Sequence, residues 1–495
     1  MSSWPVAKHT QPADSVIIAG PMTLQVLERR RRRAARIGLY GSLALVTGMA
    51  WVAVAFLNRP LTARRAERWM DRDYARLPEV RLLQEYVRID TSEATGDELA
   101  GARFLARQFA AAGIPFRIEQ VGPRKANLYA WLDGRDPHPL VLHNHIDVSP
   151  ADPKEWFSPP FAAKIELPWI YGRGVFDMKS IAIAQMRAMI DLKKSGVPLA
   201  RSVLFLGTSS EERGSRLGVR RLIRLHPGMV RNFWAVLTEG GVVEARSRDD
   251  IKFWGTELAQ KRYADLIVCS GRREPLEELR KTLLAIGPTE TDLRLTPETA
   301  AVFAAYGPTR DREELRALLT HPERVMGDIA AFRKLPPYLR SMLRNEAVPF
   351  AVEAAKGGGY RLLIKLQLLP DADLARVREK LVPGWLTFGL TTLLDEPPSA
   401  HGGSSLDHPV FRQIEATLRD EYPGTAVGPY FLAWSATDAR FFRALGVPAY
   451  GFSPFLVMNT DTLQVDQANE RFALPGFVDG VALYSKLVRR LVSDT

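Results

Sequence analysis

Four short segments place imidazoles and carboxylates directly after apolar runs: LVLHNHIDVSP, IYGRGVFDMKS, FLGTSSEERGS and AVLTEGG. In the first, His145 and Asp147 are two residues apart, so on an extended segment both face one side. A carboxylate so placed can set the imidazole tautomer while the other ring nitrogen binds a metal. Asp177 sits in a Gly-rich turn that opens a helix. Glu211 and Glu212 are adjacent acids after a buried run, which favours one on a metal and one on a water. Any one of these segments alone reads as a solvated loop; four in chain order predict a metal site. Cys269 is the single cysteine, so disulfides and cysteine-rich zinc modules are excluded and any ligands are histidine and carboxylate.

Those side chains need a scaffold, and the pattern from Leu77 onward alternates helix with strand. VRLLQEYVRI, LAGARFLARQFAAAG and MKSIAIAQMRAMIDLKKSG read as amphipathic helices, the last two closed by Gly113 and Gly196. NLYAWL, PLVLHNHI and SVLFLGTS read as buried strands. The alternation predicts an α/β sheet covered on both faces, which collects ligands beyond the carboxyl ends of its strands. A second pattern follows from KRYADLIVC: helix EPLEELRKTLLAI, a helix-rich tract to about 345, strands FAVEAA and YRLLIKLQLL, and helix ADLARVREKL. This reads as an inserted α+β domain over 259–395, dividing a main domain into 77–258 and 396–495. PVFRQIEATLRDEY and VDGVALYSKLVRRL are helices of the returning part.

With these segments in view, the chain from about 77 to 495 resembles the co-catalytic zinc hydrolases of metallopeptidase family 20, which include aminoacylase, carnosinase and yeast carboxypeptidase S. The most specific stretch is WFSPPFAAKIELPWIYGRGVFDMKS. The resemblance implies an α/β zinc-peptidase domain with a mixed sheet flanked by helices, interrupted by a lid that often dimerises. It also implies two divalent ions, zinc foremost with manganese or cobalt as alternatives, and a small peptide or N-acyl amino acid as substrate. His145 would then ligate one metal with Asp147 orienting it, Asp177 would bridge both, and Glu212 would hold the second. Glu211 would be the general base, and Arg440 in ATDARFF would meet the substrate carboxylate.

The chain departs from the family at several positions. Glu239, in Thr238-Glu239-Gly240-Gly241, stands where the related branch has an aspartate ligand. Asp466, in VDQANERF, stands where the family has its final histidine ligand. A site with one histidine and mostly carboxylates shifts from zinc toward manganese or magnesium. The lid loop that carries an oxyanion-stabilising histidine is reduced to SGRREP, and Ala354 and Gln367 replace further polar lid residues. His143, His321 and His401 are the candidate substitutes. The alternative function is therefore a catalytically degenerate relative that binds a ligand or partner.

Length and charge bound the rest. At 495 residues the chain exceeds one ordinary core, so two or three domains are expected. Its net charge of +11 is uneven: residues 1–78 hold 13 Lys+Arg against 5 Asp+Glu, a net of +8, leaving +3 for the remaining 417. The body therefore lacks the broad basic face of a nucleic-acid binder. Residues 37–57, IGLYGSLALVTGMAWVAVAFL, carry no charge and follow the basic segment 1–36. They predict a single transmembrane helix with the body outside the cytoplasm, a cleaved signal and a buried core helix being the alternatives. A homodimer through the lid is a further expectation.

Overall fold

The computed structural model describes residues 73–493, except 94, 248, 287–292, 383, 385–389 and 400–401. Sixteen strands are present among them: β1 Phe116–Gly122, β2 Lys125–Leu132, β3 Asp136–His145, β4 Lys164–Glu166, β5 Trp169–Tyr171, β6 Arg201–Thr208, β7 Ala235–Thr238 and β8 Val242–Ser247. They continue with β9 Asp250–Gln260, β10 Arg262–Ser270, β11 Glu346–Ala354, β12 Tyr360–Leu368, β13 Leu390–Asp395, β14 Val427–Leu432, β15 Ala449–Gly451 and β16 Arg471–Ala473.

The largest sheet runs β1-β2-β6-β3-β7-β15-β9-β14, with β8 paired to β9. Its centre is parallel: β3 lies between β6 and β7, and β15 extends β7 in the same sense. Alternate residues of these strands enter two separate cores. Leu140, Leu142, Phe205 and Leu237 face one, with the helices Glu98–Ala111, Ser180–Ser195 and Leu474–Val492. Val141, Leu206 and Val236 face the other, against Leu222, Phe441 and Phe442. Burial on both faces explains why these strands read as continuous apolar runs. The helix Ser180–Ser195 ends at Gly196 in the left-handed conformation (φ 63°), as its sequence predicts.

A second, antiparallel sheet runs β11-β12-β10-β13, and a small third one runs β16-β5-β4. Between β10 and β11 the helical tract 297–341 packs onto the largest sheet, not only onto its own. The helix Pro297–Tyr306 contacts β14, Arg310 Nη2 donates to Glu244 Oε2 of β8 at 2.7 Å, and the Tyr338 hydroxyl donates to the Phe431 carbonyl at 2.6 Å. Strands β8 and β9 are absent from the sequence expectation. IKFWGTELAQ mixes polar and apolar residues without clean alternation, and it is its pairing with β14, β15 and β8 that makes it a strand.

The expected membrane helix is corrected. Among the described residues no helix is long and apolar enough to cross a membrane, and the 37–57 span lies outside them. The fold of the described residues is therefore mixed α/β, with no transmembrane helix among them. The single-pass, extracytoplasmic placement, which rested on hydropathy and flanking charge alone, is withdrawn with it.

Candidate active site

The site lies at the carboxyl ends of β3, β6 and β7, whose register sets His145 opposite Thr208 and Leu142 opposite Leu237. His145 ends β3 and is buried. Its Nδ1 pairs with the main-chain carbonyl of Asp147 at 2.8 Å, while the nearer Asp147 carboxylate oxygen stands 3.7 Å away. That carboxylate is engaged elsewhere, because Oδ1 accepts the Glu211 N–H and Oδ2 the Glu212 N–H, each at 3.0 Å. Asp147 thus seats the turn after β6.

The other imidazole nitrogen faces the acids. His145 Nε2 is 3.0 Å from Asp177 Oδ1 and 3.6 Å from Glu239 Oε2. His145, Glu211 and Glu239 each present a ligand atom within 4.8 Å of the others. Asp177 sits where the chain departs from helical geometry (φ −112°, ψ 99°) just before the helix Ser180–Ser195. The buried Glu470 secures that loop by accepting the N–H groups of Gly174 at 3.1 Å and Phe176 at 2.8 Å. Gly174 has φ 77°, and a Cβ there would lie 2.3 Å from Val148 Cγ1, so only glycine fits. Arg173 ties Glu470 to Asp466, with Nη1 2.8 Å from Glu470 Oε2 and 3.5 Å from Asp466 Oδ1. Ser149 Oγ donates to Glu212 Oε2 at 2.7 Å, whereas the buried Glu212 Oε1 has no hydrogen-bond partner among the described residues.

One imidazole among so many carboxylates makes the site strongly electronegative. Burial, then Asp438, pushes Glu211 well above the carboxylate range, and burial with Asp466 does the same to Glu212. Burial and the neighbouring Asp177 push Glu239 up to about 8 and Asp466 up to about 6. Burial opposes charge on His145, yet Glu239 and Asp177 raise it well above its ordinary value. A buried cluster of like charges is costly unless cations neutralise it. The convergent donors and the orphaned Glu212 oxygen fit divalent ions.

Arg440 follows Asp438 at the edge of this cluster. Its Nε donates to Glu396 Oε2 at 3.0 Å and its Nη1 to the Thr437 carbonyl at 2.5 Å. The same Glu396 oxygen accepts the Tyr263 N–H at 3.0 Å, so Glu396 ties Arg440, on the helix Ala439–Ala444, to β10. Asp438 was not singled out from sequence. It is buried, accepts the Ser215 hydroxyl and is pushed up to about 6 by burial. The described histidine candidates, His143 and His321, do not join the proposed ligands, although His143 Nε2 stands 3.6 Å from Asp438 Oδ2. His143 is a buried strut between Thr238 Oγ1 (2.8 Å) and Thr208 Oγ1 (3.0 Å), pushed down to about 3 by burial and by His145. His321 is exposed beside Glu323 at 3.3 Å, and His401 lies outside the described residues.

Known proteins share this arrangement's framework. The description of peptidase family M20/M25/M40 matches residues 141–490. Aminoacylase-1A of Rattus norvegicus is 24% identical over 445 residues, covering 84% of this chain and 96% of its own. The N-fatty-acyl-amino acid synthase/hydrolase PM20D1 of Xenopus tropicalis is 26% identical over 388 residues, covering 72% of this chain and 73% of its own. Among solved structures, the M20 family metallo-carboxypeptidase Sso-CP2 of Sulfolobus solfataricus superposes with a TM-score of 0.61 at 18% identity, covering 83% of this chain and 99% of its own. Human carnosine dipeptidase 1 does so at 0.54 and 15% identity, over 83% and 95%. This chain belongs to peptidase family M20/M25/M40 and is a hydrolase of amide bonds.

Proposed function

We propose that this chain hydrolyses the amide bond of small N-acyl amino acids or short peptides that carry a free carboxylate beside the scissile bond. The convergence of His145, Glu211 and Glu239 within 4.8 Å is the observation that supports it. His145, Asp177 and Glu239 would hold one divalent ion, and Asp177, Glu212 and Asp466 a second. Two such cations, when bound, supply polarisation of the scissile carbonyl and acidification of the attacking water.

The chain's own residues do the rest. Glu211 takes a proton from the water as its oxygen adds to the acyl carbon, then returns that proton to the amine nitrogen as the C–N bond breaks. A carboxyl whose pKa burial has raised is suited to holding the proton between those steps. Asp147 keeps Glu211 and Glu212 in register through their main-chain N–H groups. Arg440, with Nε and Nη1 engaged, would offer Nη2 to the substrate carboxylate. Zinc suits the position with the imidazole; manganese or cobalt suits the all-oxygen one. Residues 259–395 would act as the lid, and a homodimer through that segment belongs to the same reading.

The gathered donors and the family match over 141–490 leave the catalytically degenerate reading without support. In the test, E211Q lowers turnover of a panel of N-acyl amino acids and dipeptides at least ~1000-fold, within the range of a lost general base, while metal content stays at the wild-type level. Unchanged turnover overturns the assignment.

A further inference from the structure

Neither the proposed ligands nor the base explains how the turn Ser209–Ser215 keeps its shape. Ser210 has φ 64° and Ser215 φ 58°, left-handed conformations that non-glycine residues rarely adopt and that persist only where surrounding structure enforces them. The enforcing groups come from β2. Lys125 and Asn127 are two residues apart on that strand, so their side chains share a face.

Asn127 holds both ends of the turn. Its Oδ1 accepts the Ser209 N–H at 2.9 Å, and its Nδ2 donates to the Leu217 carbonyl at 3.0 Å. Lys125 holds the middle, where its Nζ donates to Ser210 Oγ at 3.2 Å. The same ammonium donates to Glu98 Oε1 at 2.5 Å and to the carbonyl and carboxylate of Glu93, each at 3.1 Å. Glu98, on the first turn of the helix Glu98–Ala111, is only 1% exposed, so the ammonium is anchored from below by a buried carboxylate. Arg213 closes the circuit by pairing with Glu93 at 2.8 Å.

We infer that Lys125 and Asn127 are positioning residues for the proposed base: β2 is the template against which the turn bearing Glu211 and Glu212 is moulded. Asp147 restrains the turn through the N–H groups of Glu211 and Glu212, and the β2 pair restrains it through Ser209, Ser210 and Leu217. Neither β2 residue is among the proposed ligands, base or substrate-carboxylate partner, so both act through the turn. The inference rests on the assignment of Glu211 as base, and its test therefore has one arm that needs no turnover.

The variants are K125M, K125R and N127A, with S210A as a minimal change that removes only the hydroxyl acceptor. Hydrogen–deuterium exchange of the full chain is expected to quicken at least ~10-fold in the segment 209–217 for K125M and N127A, while the helix Ser180–Ser195 keeps its protection. Unchanged exchange in 209–217 overturns the inference whether or not the protein is active. In turnover, K125M lowers kcat about 100-fold with KM within about twofold, as a displaced catalytic group does, and K125R recovers part of that loss. S210A shows a smaller loss in the same direction. A fall in stability with kcat and KM unchanged in the folded protein would make the pair merely structural and would also overturn it. If E211Q retains activity while 209–217 loosens in K125M, the assignment of the base fails and the positioning of the turn stands.

Discussion

The carboxylate of Asp147 accepts the main-chain N–H groups of Glu211 and Glu212, one on each oxygen at 3.0 Å. Both oxygens are thereby committed to the backbone of the neighbouring loop, and the His145 imidazole is oriented by Asp147's carbonyl instead. One residue thus couples the proposed ligand His145 to the proposed base through two different groups.

D147N tests that coupling. The amide can accept only one of the two N–H groups and sets its own N–H₂ against the other, leaving a buried donor unmet at a cost of ~1–3 kcal/mol. Thermal unfolding should register that loss, and kcat should fall about 100-fold through misplacement of Glu211. A variant with wild-type kcat would show that the turn does not depend on this carboxylate.

Gly174 is the second point of leverage. G174A forces a Cβ to within 2.3 Å of Val148 Cγ1 at a φ of 77°. The strain should cost ~1–3 kcal/mol of stability and displace the loop that presents Asp177. Calorimetry should show a lowered Tm together with weakened retention of divalent ions on dialysis. Substitution without either effect would mean that the loop relaxes freely.

Removing divalent ions with a chelator should abolish hydrolysis and lower Tm, because the folded site binds cations that the unfolded chain does not. Restoring an ion at ~100 times its Kd should return ~2.7 kcal/mol of stability. D466H replaces a carboxylate with imidazole at the all-oxygen position. It should strengthen zinc binding about tenfold or more relative to manganese, read by competition with a chromophoric chelator. Equal preference in both proteins would remove Asp466 from the ligand set.

The pair Lys261 and Glu346, 2.9 Å apart, gives a pH prediction away from the site. Burial works against the Glu346 carboxylate, but Lys261 and the Ser341 hydroxyl hold it below its ordinary value of 4.5. A depressed folded-state pKa contributes stability that is present above the unfolded value and lost as pH falls through the folded one. The wild type should therefore lose stability below about pH 4.5 more steeply than E346Q. E346Q should itself be less stable at neutral pH by ~1–3 kcal/mol, since it removes the carboxylate that favours charge on Lys261, a buried amine that desolvation already pushes down to about 8. Identical acid limbs in the two proteins would refute the coupling.

Much of the proposed site was legible in one dimension. His145, Asp177, Glu211, Glu212 and Glu239 each follow an apolar run, and a strand's carboxyl end is where an α/β sheet exposes such groups. The helices Pro78–Val87, Glu98–Ala111 and Ser180–Ser195 were legible through periodicity and glycine stops. The supporting residues were not. Lys125 meets Ser210 across 85 residues of chain, Asn127 meets Ser209 across 82, and Arg173 meets Glu470 across 297. No local spacing encodes those pairs.

Sequence by itself therefore determined the donor types, the absence of a cysteine-based site and the alternation that builds a doubly covered sheet, because these depend on composition and short-range periodicity. The tertiary structure decided which donors converge, and that the Asp147 carboxylate seats a turn while its carbonyl orients His145. It also showed that β9 completes the sheet and that the helical tract 297–341 is bound to it. Those outcomes depend on strand register and on burial, which belong to segments only after they have packed together.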